Sequence, residues 1–135
     1  MIAYDKPLPA LDGDNAPHWA GARARELRVQ RCDDCGLLRF PAARYCSSCL
    51  SEKSQWVTLS GRGEVWSHCT FHRVYFKGFE HEMPYMVVLV KLDEGPMLYS
   101  NLVRIPPDEV QIGMRVKALF DDVTDQVTLV KFEPE

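Results

Sequence analysis

The sequence has no apolar stretch long enough to span a lipid bilayer. No run approaches the ~20 consecutive apolar residues that a spanning helix needs. Met1 is not followed by a basic segment and an apolar core, the two parts of a secretion signal. Internal repeats and low-complexity segments are also missing. These absences favour a cytoplasmic globular protein without a membrane partner.

Signatures of catalysis are scarce as well. Ser60 lacks the Gly-x-Ser-x-Gly pattern of a serine nucleophile, and no standard phosphate-binding glycine loop occurs. Cys69 adjoins His68, but adjacent residues of a strand point to opposite faces, which makes a Cys–His pair geometrically poor. We therefore expect Cys69 to be a small buried apolar residue. The isolated chain is predicted not to be an enzyme by itself but to be part of one.

An excess of basic residues is missing too. The 16 Lys and Arg are outnumbered by 19 Asp and Glu, for a formal net charge of −3. Residues 86–135 hold five Lys and Arg against nine Asp and Glu. This acidic C-terminal part argues against nonspecific binding of nucleic acid.

Four cysteines provide the clearest positive signal. Cys32 and Cys35 form one Cys-x-x-Cys pair, and Cys46 and Cys49 form a second one after ten intervening residues. Two tight turns can bring four thiolates to ~2.3 Å from one Zn²⁺ ion in a closed tetrahedral shell. Because such a shell has no open position for a substrate, it predicts a structural metal. Gly36 can adopt a positive φ and turn backbone N–H groups toward the sulfurs.

Other uses of these residue types stay open. Two disulfides would leave the fifth cysteine, Cys69, unpaired. Iron of the rubredoxin type would use the same four ligands and would indicate an electron-transfer protein. Redox-active dithiols formed by the two cysteine pairs are a separate alternative. A second metal site formed by His68, His72 and His81 is a further alternative, but scattered histidines are more often polar surface.

The order of elements predicts a mainly β chain with one N-terminal helix. An extended arm over residues 1–14 precedes a helix that Asp14 or Asn15 caps and that continues through residues 18–29. Trp19, Arg23 and Leu27 share a face of this helix. This basic helix is either solvated, with Trp19 packed on its own domain, or lies against a partner or an anionic ligand. The chain divides into three predicted parts, which are an arm with helix (1–28), a zinc ribbon (29–60) and a barrel (61–135).

The barrel prediction rests on five strand-like segments. The first is long and has glycine at its start, in the turn or bulge formed by residues 60–63, as expected of a strand that bends to pair on both sides. The spacing of the five suggests a small closed barrel of the oligonucleotide/oligosaccharide-binding (OB) type. The segments are residues 65–76, 85–92, 97–103, 115–121 and 127–132.

Aromatic and basic residues crowd the end of the first of these strands. Some of their side chains belong to the core, but alternation leaves the other face exposed. Exposed rings with basic neighbours indicate an interface or a stacking platform for a coenzyme A adenine or for single-stranded nucleic acid. On the ribbon, Arg39 and Arg44 are either phosphate contacts or solvated charges. The candidates in this strand and loop are Phe71, Arg73, Tyr75, Phe76, Lys77 and Phe79.

Together these motifs resemble a family of small bacterial and archaeal proteins that join a rubredoxin-like zinc ribbon to an OB-fold, the DUF35 or acyl-CoA-associated OB family. The resemblance runs from Trp19 to Phe132. It rests on residues 27–32, Cys35-Gly36, residues 39–41, Cys46, Cys49, residues 60–63, Pro84-Tyr85, and residues 92–95, 112–116 and 130–132.

The resemblance implies an accessory subunit of a thiolase-superfamily acyl-CoA enzyme. The expected partner is a thiolase-fold protein that carries the reactive cysteine and histidines, in a hetero-oligomer with two copies of each chain. This chain would contribute structural zinc, stabilise the partner and help to bind the acyl-CoA. Degradation of steroid side chains or aromatic acids is a typical setting, and benzoylsuccinyl-CoA thiolase is one example. A nucleic-acid-binding ribbon and barrel is the alternative.

Overall fold

The computed structural model describes residues 4–135, which form one α-helix and two antiparallel sheets. Residues 1–3, the start of the predicted arm, lie outside the described residues. The helix, α1, spans Ala16–Arg23. The first sheet consists of β1 (Leu27–Cys32), β2 (Leu38–Arg39) and β3 (Ser54–Leu59), in the order β2-β1-β3. The second consists of β4 (Arg62–Phe71), β5 (Tyr85–Leu92), β6 (Met97–Ser100), β7 (Arg115–Asp122) and β8 (Thr128–Pro134), in the order β6-β5-β4-β7-β8. The predicted mainly β fold with an N-terminal helix and five late strands is confirmed.

Helix α1 ends six residues before the predicted end at Val29, so that prediction is wrong. Arg25 adopts a φ of 64°, a left-handed conformation that stops the helix. Leu27 and Val29 instead lie on β1, where both side chains are buried. Leu27 therefore does not share a helical face with Trp19. Burial of two apolar residues on a strand outweighs the helix propensity of the alanine-rich segment.

Strand β4 is the central strand of the second sheet and pairs differently along its length. It pairs with β5 from Gly63 to Phe71, but with β7 only from Arg62 to Glu64. A Cβ atom on Gly63 would lie 2.4 Å from the Lys91 carbonyl oxygen, so only glycine fits where the strand has two close neighbours. The register to β5 shifts between Val65 and Ser67.

The second sheet curls into an OB-fold half-barrel that a short seam closes. Leu102 and Phe132 form an isolated parallel bridge. The Val103 N–H donates to the Phe132 carbonyl at 2.8 Å, and the Phe132 N–H donates to the Asn101 carbonyl at 2.9 Å. The predicted closed barrel is thus a curled five-stranded sheet whose edges meet over a few residues.

The predicted strand over residues 65–76 is too long at its C-terminal end. Strand β4 ends at Phe71, which faces Tyr85 at the start of β5. After Phe71, no strand within residues 4–135 pairs with the chain segment that was predicted to continue β4, and a 3-10 turn follows at Lys77–Phe79. The strand over 85–92 is confirmed, whereas the one predicted over 97–103 ends at Ser100.

The two sheets share one hydrophobic core. Leu27 of β1 is 1% exposed and joins the buried cluster of the five-stranded sheet, which includes Val88, Val116 and Phe132. Burial of one leucine contributes about 1.5–3 kcal/mol. The ribbon is therefore anchored to the barrel by its first strand.

An exposed ion pair also links the helix end to the barrel. The Arg25 guanidinium donates two hydrogen bonds, of 2.8 and 2.6 Å, to the Asp122 carboxylate. These bonds, followed by one from the Thr128 hydroxyl, hold the pKa of Asp122 well below its ordinary value. The turn that ends α1 is thereby fixed beside β7.

Helix α1 is the only α-helix among residues 4–135, and its eight residues are about 12 Å long. It is too short and insufficiently apolar to cross a membrane.

His18 should make the stability of the chain depend on pH. Its ring is 4% exposed, and Nδ1 lies 3.1 Å from the Arg28 carbonyl oxygen. Burial lowers the pKa of His18, and the hydrogen bond to Arg28 offsets this only in part. As pH falls through about 6.5, the unfolded chain gains a proton before the folded one does, so stability decreases.

We expect His18→Gln, which keeps a hydrogen-bond donor, to lose less stability than the wild type between about pH 7.5 and 5.5. Urea unfolding of the zinc-saturated chain measures this. The control is His81→Gln, since the His81 side chain is 93% exposed. Identical pH dependence in His18→Gln and the wild type would contradict the role of His18.

Candidate metal centre and aromatic cavity

Two similar turns position the four cysteines. In the first turn the Gly36 N–H donates to the Cys32 carbonyl at 2.9 Å, and Gly36 has a φ of 77°. In the second the Leu50 N–H donates to the Cys46 carbonyl at 2.8 Å, and Leu50 has a φ of 64°. The residue that follows each Cys-x-x-Cys pair is therefore left-handed, as predicted for Gly36. Leucine rarely adopts this conformation, which indicates that interactions beyond the turn itself, such as metal coordination by its cysteines, hold the backbone there.

The four sulfurs converge on one point. The Sγ atoms of Cys32 and Cys49 are 3.5 Å apart, as are those of Cys35 and Cys46. All four lie within 4.8 Å of one another. Sulfurs bound at ~2.3 Å to a tetrahedral ion stand roughly 3.8 Å apart, so the cluster fits such an ion closely.

Backbone N–H groups favour the thiolate form of the two buried cysteines. Hydrogen bonds from the backbone of Cys35, and secondarily of Asp34, lower the pKa of Cys32 to about 6. The backbone of Cys49, and then that of Ser48, lowers the pKa of Cys46. Metal binding requires the thiolate, so the turns favour the binding form of Cys32 and Cys46. The pKa of Cys35 and that of Cys49 are raised, because hydrogen bonds with neighbouring cysteine sulfurs and burial outweigh the backbone hydrogen bonds to these two thiols.

All five cysteines are free, which leaves the two-disulfide alternative without support. Tetrahedral iron would use the same four ligands, and the sulfur geometry alone does not distinguish it from zinc. Cys69 is exposed, so its predicted burial is wrong. The cause is that Cys69 lies opposite Val87, on the face of the sheet that points away from the core residues Val88 and Val90.

The three histidines of the alternative metal site are all exposed. Among residues 4–135 the four-cysteine cluster is the only group of three or more His, Cys, Asp or Glu side chains that lie close enough together to hold a metal ion. His68, His72 and His81 therefore do not assemble a second site in this structure.

Most of the aromatic candidates meet at one end of the barrel. They surround a cavity of about 240 Å³ that is lined almost entirely by apolar atoms. We call it the aromatic cavity. Its lining residues are Phe71, Arg73, Tyr75, Phe76, Phe79, Met83 and Tyr85.

The rings of the aromatic cavity make edge contacts. The Phe71 and Tyr75 centroids are 6.2 Å apart, and those of Phe79 and Tyr85 are 4.7 Å apart, both in T-shaped pairs. The Arg73 guanidinium lies 5.4 Å from the Tyr75 centroid. An apolar cavity with one cation at its rim can accept a flat or acyl group next to an anion.

The N-terminal arm supports this cavity. Lys6 pairs with Glu82, and its Nζ lies 5.0 Å from the Phe79 ring centroid. Met83, Tyr85 and Lys6 were not among the predicted contact residues. The register that places Tyr85 opposite Phe71 was needed to find Tyr85, and the loop and arm contacts were needed to find Met83 and Lys6.

The remaining candidates do not line the aromatic cavity. Trp19 is half-buried, and its ring packs edge-on against His18. The Arg39 guanidinium donates hydrogen bonds to Gln30 Oε1 at 2.9 Å and to the Ala43 carbonyl at 3.0 Å. These bonds tie Arg39 to other residues of the ribbon. Two further candidates, Arg44 and Lys77, are exposed outside this lining, and Arg44 pairs with Glu52 on the ribbon.

Two family models match the chain. The ChsH2 rubredoxin-like zinc ribbon domain matches residues 19–54, and the ChsH2 C-terminal OB-fold domain matches residues 56–121. The ribbon match, together with the four converging thiols, suggests structural zinc.

Similar proteins carry names of acyl-CoA enzyme subunits. A chain of the solved Ltp2-ChsH2(DUF35) aldolase superposes with a TM-score of 0.85 at 39% identity, covering 94% of this chain and 98% of that one. The probable enoyl-CoA hydratase alpha subunit of Thermomonospora curvata is 40% identical over 96% of this chain. The chain spans only 40% of that relative. The benzoylsuccinyl-CoA thiolase subunit BbsA of Thauera aromatica is 29% identical over 84% of this chain and 78% of its own length.

We expect the purified chain to contain about one zinc ion and Cys46→Ala to contain almost none, because three thiolates leave the shell open. Elemental analysis with a visible absorption spectrum measures this. Structural zinc contributes on the order of 10 kcal/mol to folding, so Cys46→Ala should also lose hydrogen-exchange protection in the ribbon.

Cys69→Ala is the matched control, and it should keep the metal content of the wild type. If the purified protein is red, contains iron and loses its colour on reduction, the site is a rubredoxin-type iron site and the zinc prediction is wrong.

Proposed function

The chain belongs to the ChsH2 (DUF35) family of proteins that join a zinc ribbon to an OB-fold, and we propose that it is a non-catalytic subunit of a thiolase-superfamily acyl-CoA enzyme. In this role it binds a thiolase-fold partner in the cytoplasm and stabilises it. The partner supplies the reactive cysteine and histidines, in an assembly with two copies of each chain.

The proposal rests mainly on the match to a chain of the Ltp2-ChsH2(DUF35) aldolase. The match covers 98% of that chain, so a ribbon and a barrel alone suffice for a place in such an assembly. The hydratase alpha subunit is a weaker guide, because most of its length has no counterpart here. The name of BbsA supports a thiolase as an alternative to an aldolase.

The arrangement of nucleophiles also supports a non-catalytic role. Within residues 4–135, no serine or cysteine side chain is hydrogen-bonded to a histidine side chain, and the Cys69 thiol has no hydrogen-bond partner. The four other cysteines form the closed metal cluster, which leaves no coordination position for a substrate. The reactive groups are therefore assigned to the partner.

The aromatic cavity is where this subunit contributes to binding of the acyl-CoA. Its rings can stack on the adenine or pack against an apolar acyl group, and Arg73 lies at the rim where a phosphate or carboxylate would follow. Zinc has no part in this contact, since the metal orders only the ribbon. Steroid and aromatic acyl-CoA thioesters are the substrate classes we would test first.

Co-expression with a thiolase-fold protein, sought among the genes that neighbour its own, tests the proposed partnership. With a tag on this chain, we expect both proteins to elute together and acyl-CoA cleavage to require both. The partner expressed alone is the control, and it should be inactive or unstable. Separate elution of two folded proteins would contradict the proposed function.

Replacing Tyr75 tests the proposed acyl-CoA contact. Loss of one stacking ring costs about tenfold in affinity or more, so Tyr75→Ala should raise KM for the acyl-CoA by about that factor. Steady-state kinetics of the assembled complex measures this.

The ribbon offers a matched control. Arg44 lies 5.6 Å from the Tyr45 ring centroid, in the same kind of stacked pair as Arg73 and Tyr75. Tyr45→Ala should leave KM unchanged. A raised KM in Tyr45→Ala, with no change in Tyr75→Ala, would move the contact to the ribbon.

A further inference from the structure

Strands β4, β5 and β6 present a sheet face whose largest side chains are uncovered. Tyr99 is 76% exposed, Trp66 48% and Met97 43%. Met97 lies opposite Lys91 in the pairing register, and the Lys91 Nζ is 4.8 Å from the Trp66 ring centroid. Tyr99 lies two residues from Met97 and so on the same side of the sheet. We call this surface the outer face, and it is formed by Trp66, Cys69, Lys91, Met97 and Tyr99.

The outer face is continuous with the aromatic cavity. Cys69 lies opposite Val87, and two residues further along each strand Phe71 lies opposite Tyr85. Residues two apart in a strand share a face, so Cys69 and Phe71 point to the same side. The uncovered surface therefore runs from β6 across β5 to the rim of the cavity.

The exposed area is large for a protein of this size. An aromatic side chain has about 150–250 Å² of surface. From the exposed fractions of the outer face and of Phe71, Tyr75 and Phe76, the uncovered apolar area is on the order of 600 Å². That is at the upper end of the ~300–600 Å² found for the largest patch of a monomer. It approaches the ~800 Å² that each partner buries in a standard interface.

The edge of β4 is uncovered at the same place. Strand β7 borders only residues 62–64, and no other strand of residues 4–135 borders residues 67–71 on that side. Natural edge strands are protected by charged residues or proline. From Val65 to Phe71 the sequence contains neither. Such an edge is typical of a strand that another protein covers.

The charges around this surface lack partners within the chain. Among residues 4–135, no carboxylate lies within salt-bridge distance of Lys91, Arg73 or Lys77. Lys91 and Arg73 lie over aromatic rings instead. By contrast, Arg115 and Lys131, elsewhere on the barrel, each pair with an aspartate at 2.6–2.8 Å. A complementary surface would therefore be apolar at its centre with carboxylates at its rim.

We propose that the outer face is the surface on which the thiolase-fold subunit docks. The inference rests on the proposed function and assigns the partner contact to the barrel, not to the zinc ribbon. The partner covers Trp66 and Tyr99 with apolar side chains and places carboxylates near Lys91 and Arg73. Docking in this position puts the aromatic cavity at the margin of the interface, where both subunits can reach one acyl-CoA.

A matched pair of substitutions tests this assignment in the purified, zinc-loaded chain with the co-expressed thiolase-fold protein. Tyr99→Glu places a charge at the most exposed aromatic side chain of the outer face and should raise the Kd about thirtyfold or more, the effect of losing a large aromatic contact. Tyr45→Glu makes the same change on the ribbon, where Tyr45 is 52% exposed, and should leave the Kd within about threefold. Zinc content and circular dichroism must match the wild type in both variants.

Cys69 gives an independent readout without substitution of the interface. Its thiol is exposed in the chain alone, whereas the other four thiols are held in the metal cluster. Binding of the partner should slow its reaction with a maleimide at least about tenfold, because docking buries the outer face. Cys69→Ser shows how much labelling arises at the metal cluster.

The outcomes separate the docking assignment from the proposed function. If the complex forms but Tyr99→Glu binds normally and Cys69 stays reactive, the docking assignment is overturned and the proposed function stands. If Tyr45→Glu alone abolishes binding, the ribbon is the docking surface. If no thiolase-fold partner binds the wild type, the proposed function fails first. A wild-type homodimer that Tyr99→Glu dissociates, or an oligonucleotide that protects Cys69, would assign the outer face to another occupant and overturn the inference.

Discussion

The convergence of four thiols on one point is the constraint on which the ribbon depends. Between Cys32 and Ser54 nearly every side chain other than Cys46 is at least partly exposed, so this segment has almost no apolar core of its own. Two left-handed residues, Gly36 and Leu50, close turns that gain little from packing. A bound ion supplies the free energy that a small core cannot. Without it, β1 would remain fixed through Leu27 in the core of the barrel, and Leu59 of β3 would still pack against the same core.

The barrel depends on strand β4 as the ribbon depends on the metal cluster. The two halves of β4 have different roles. Near Gly63 it has close neighbours on both sides and closes the core. Beyond Val65 it keeps only β5, so both of its faces and one edge are open. The change occurs at the register shift beside Trp66. One strand thereby contributes to the stability of the fold and to the uncovered surface next to the aromatic cavity.

The features that could be predicted from the sequence are local to one turn or one strand. Those that could not be predicted depend on which strands pair and in which register. The metal ligands followed from spacing alone, since each pair lies within one turn. The end of α1 was missed because the burial of Leu27 and Val29 is decided by the other strands. The exposure of Cys69 was missed because the register with β5 decides which side chains of β4 point away from the core. Trp66 and Tyr99 lie more than 30 residues apart, and only the register of three strands brings them to one face.

The position of the aromatic cavity beside the outer face has a thermodynamic consequence. A ligand that contacts two subunits at once binds more tightly to the complex than to either subunit alone. By linkage, the same ligand must tighten the association of the subunits by an equal factor. An acyl-CoA held between the aromatic cavity and a thiolase-fold subunit would therefore favour assembly. Under the proposed function, a small, non-catalytic chain would in this way influence the reaction of its partner, because it would supply part of the surface that the substrate needs.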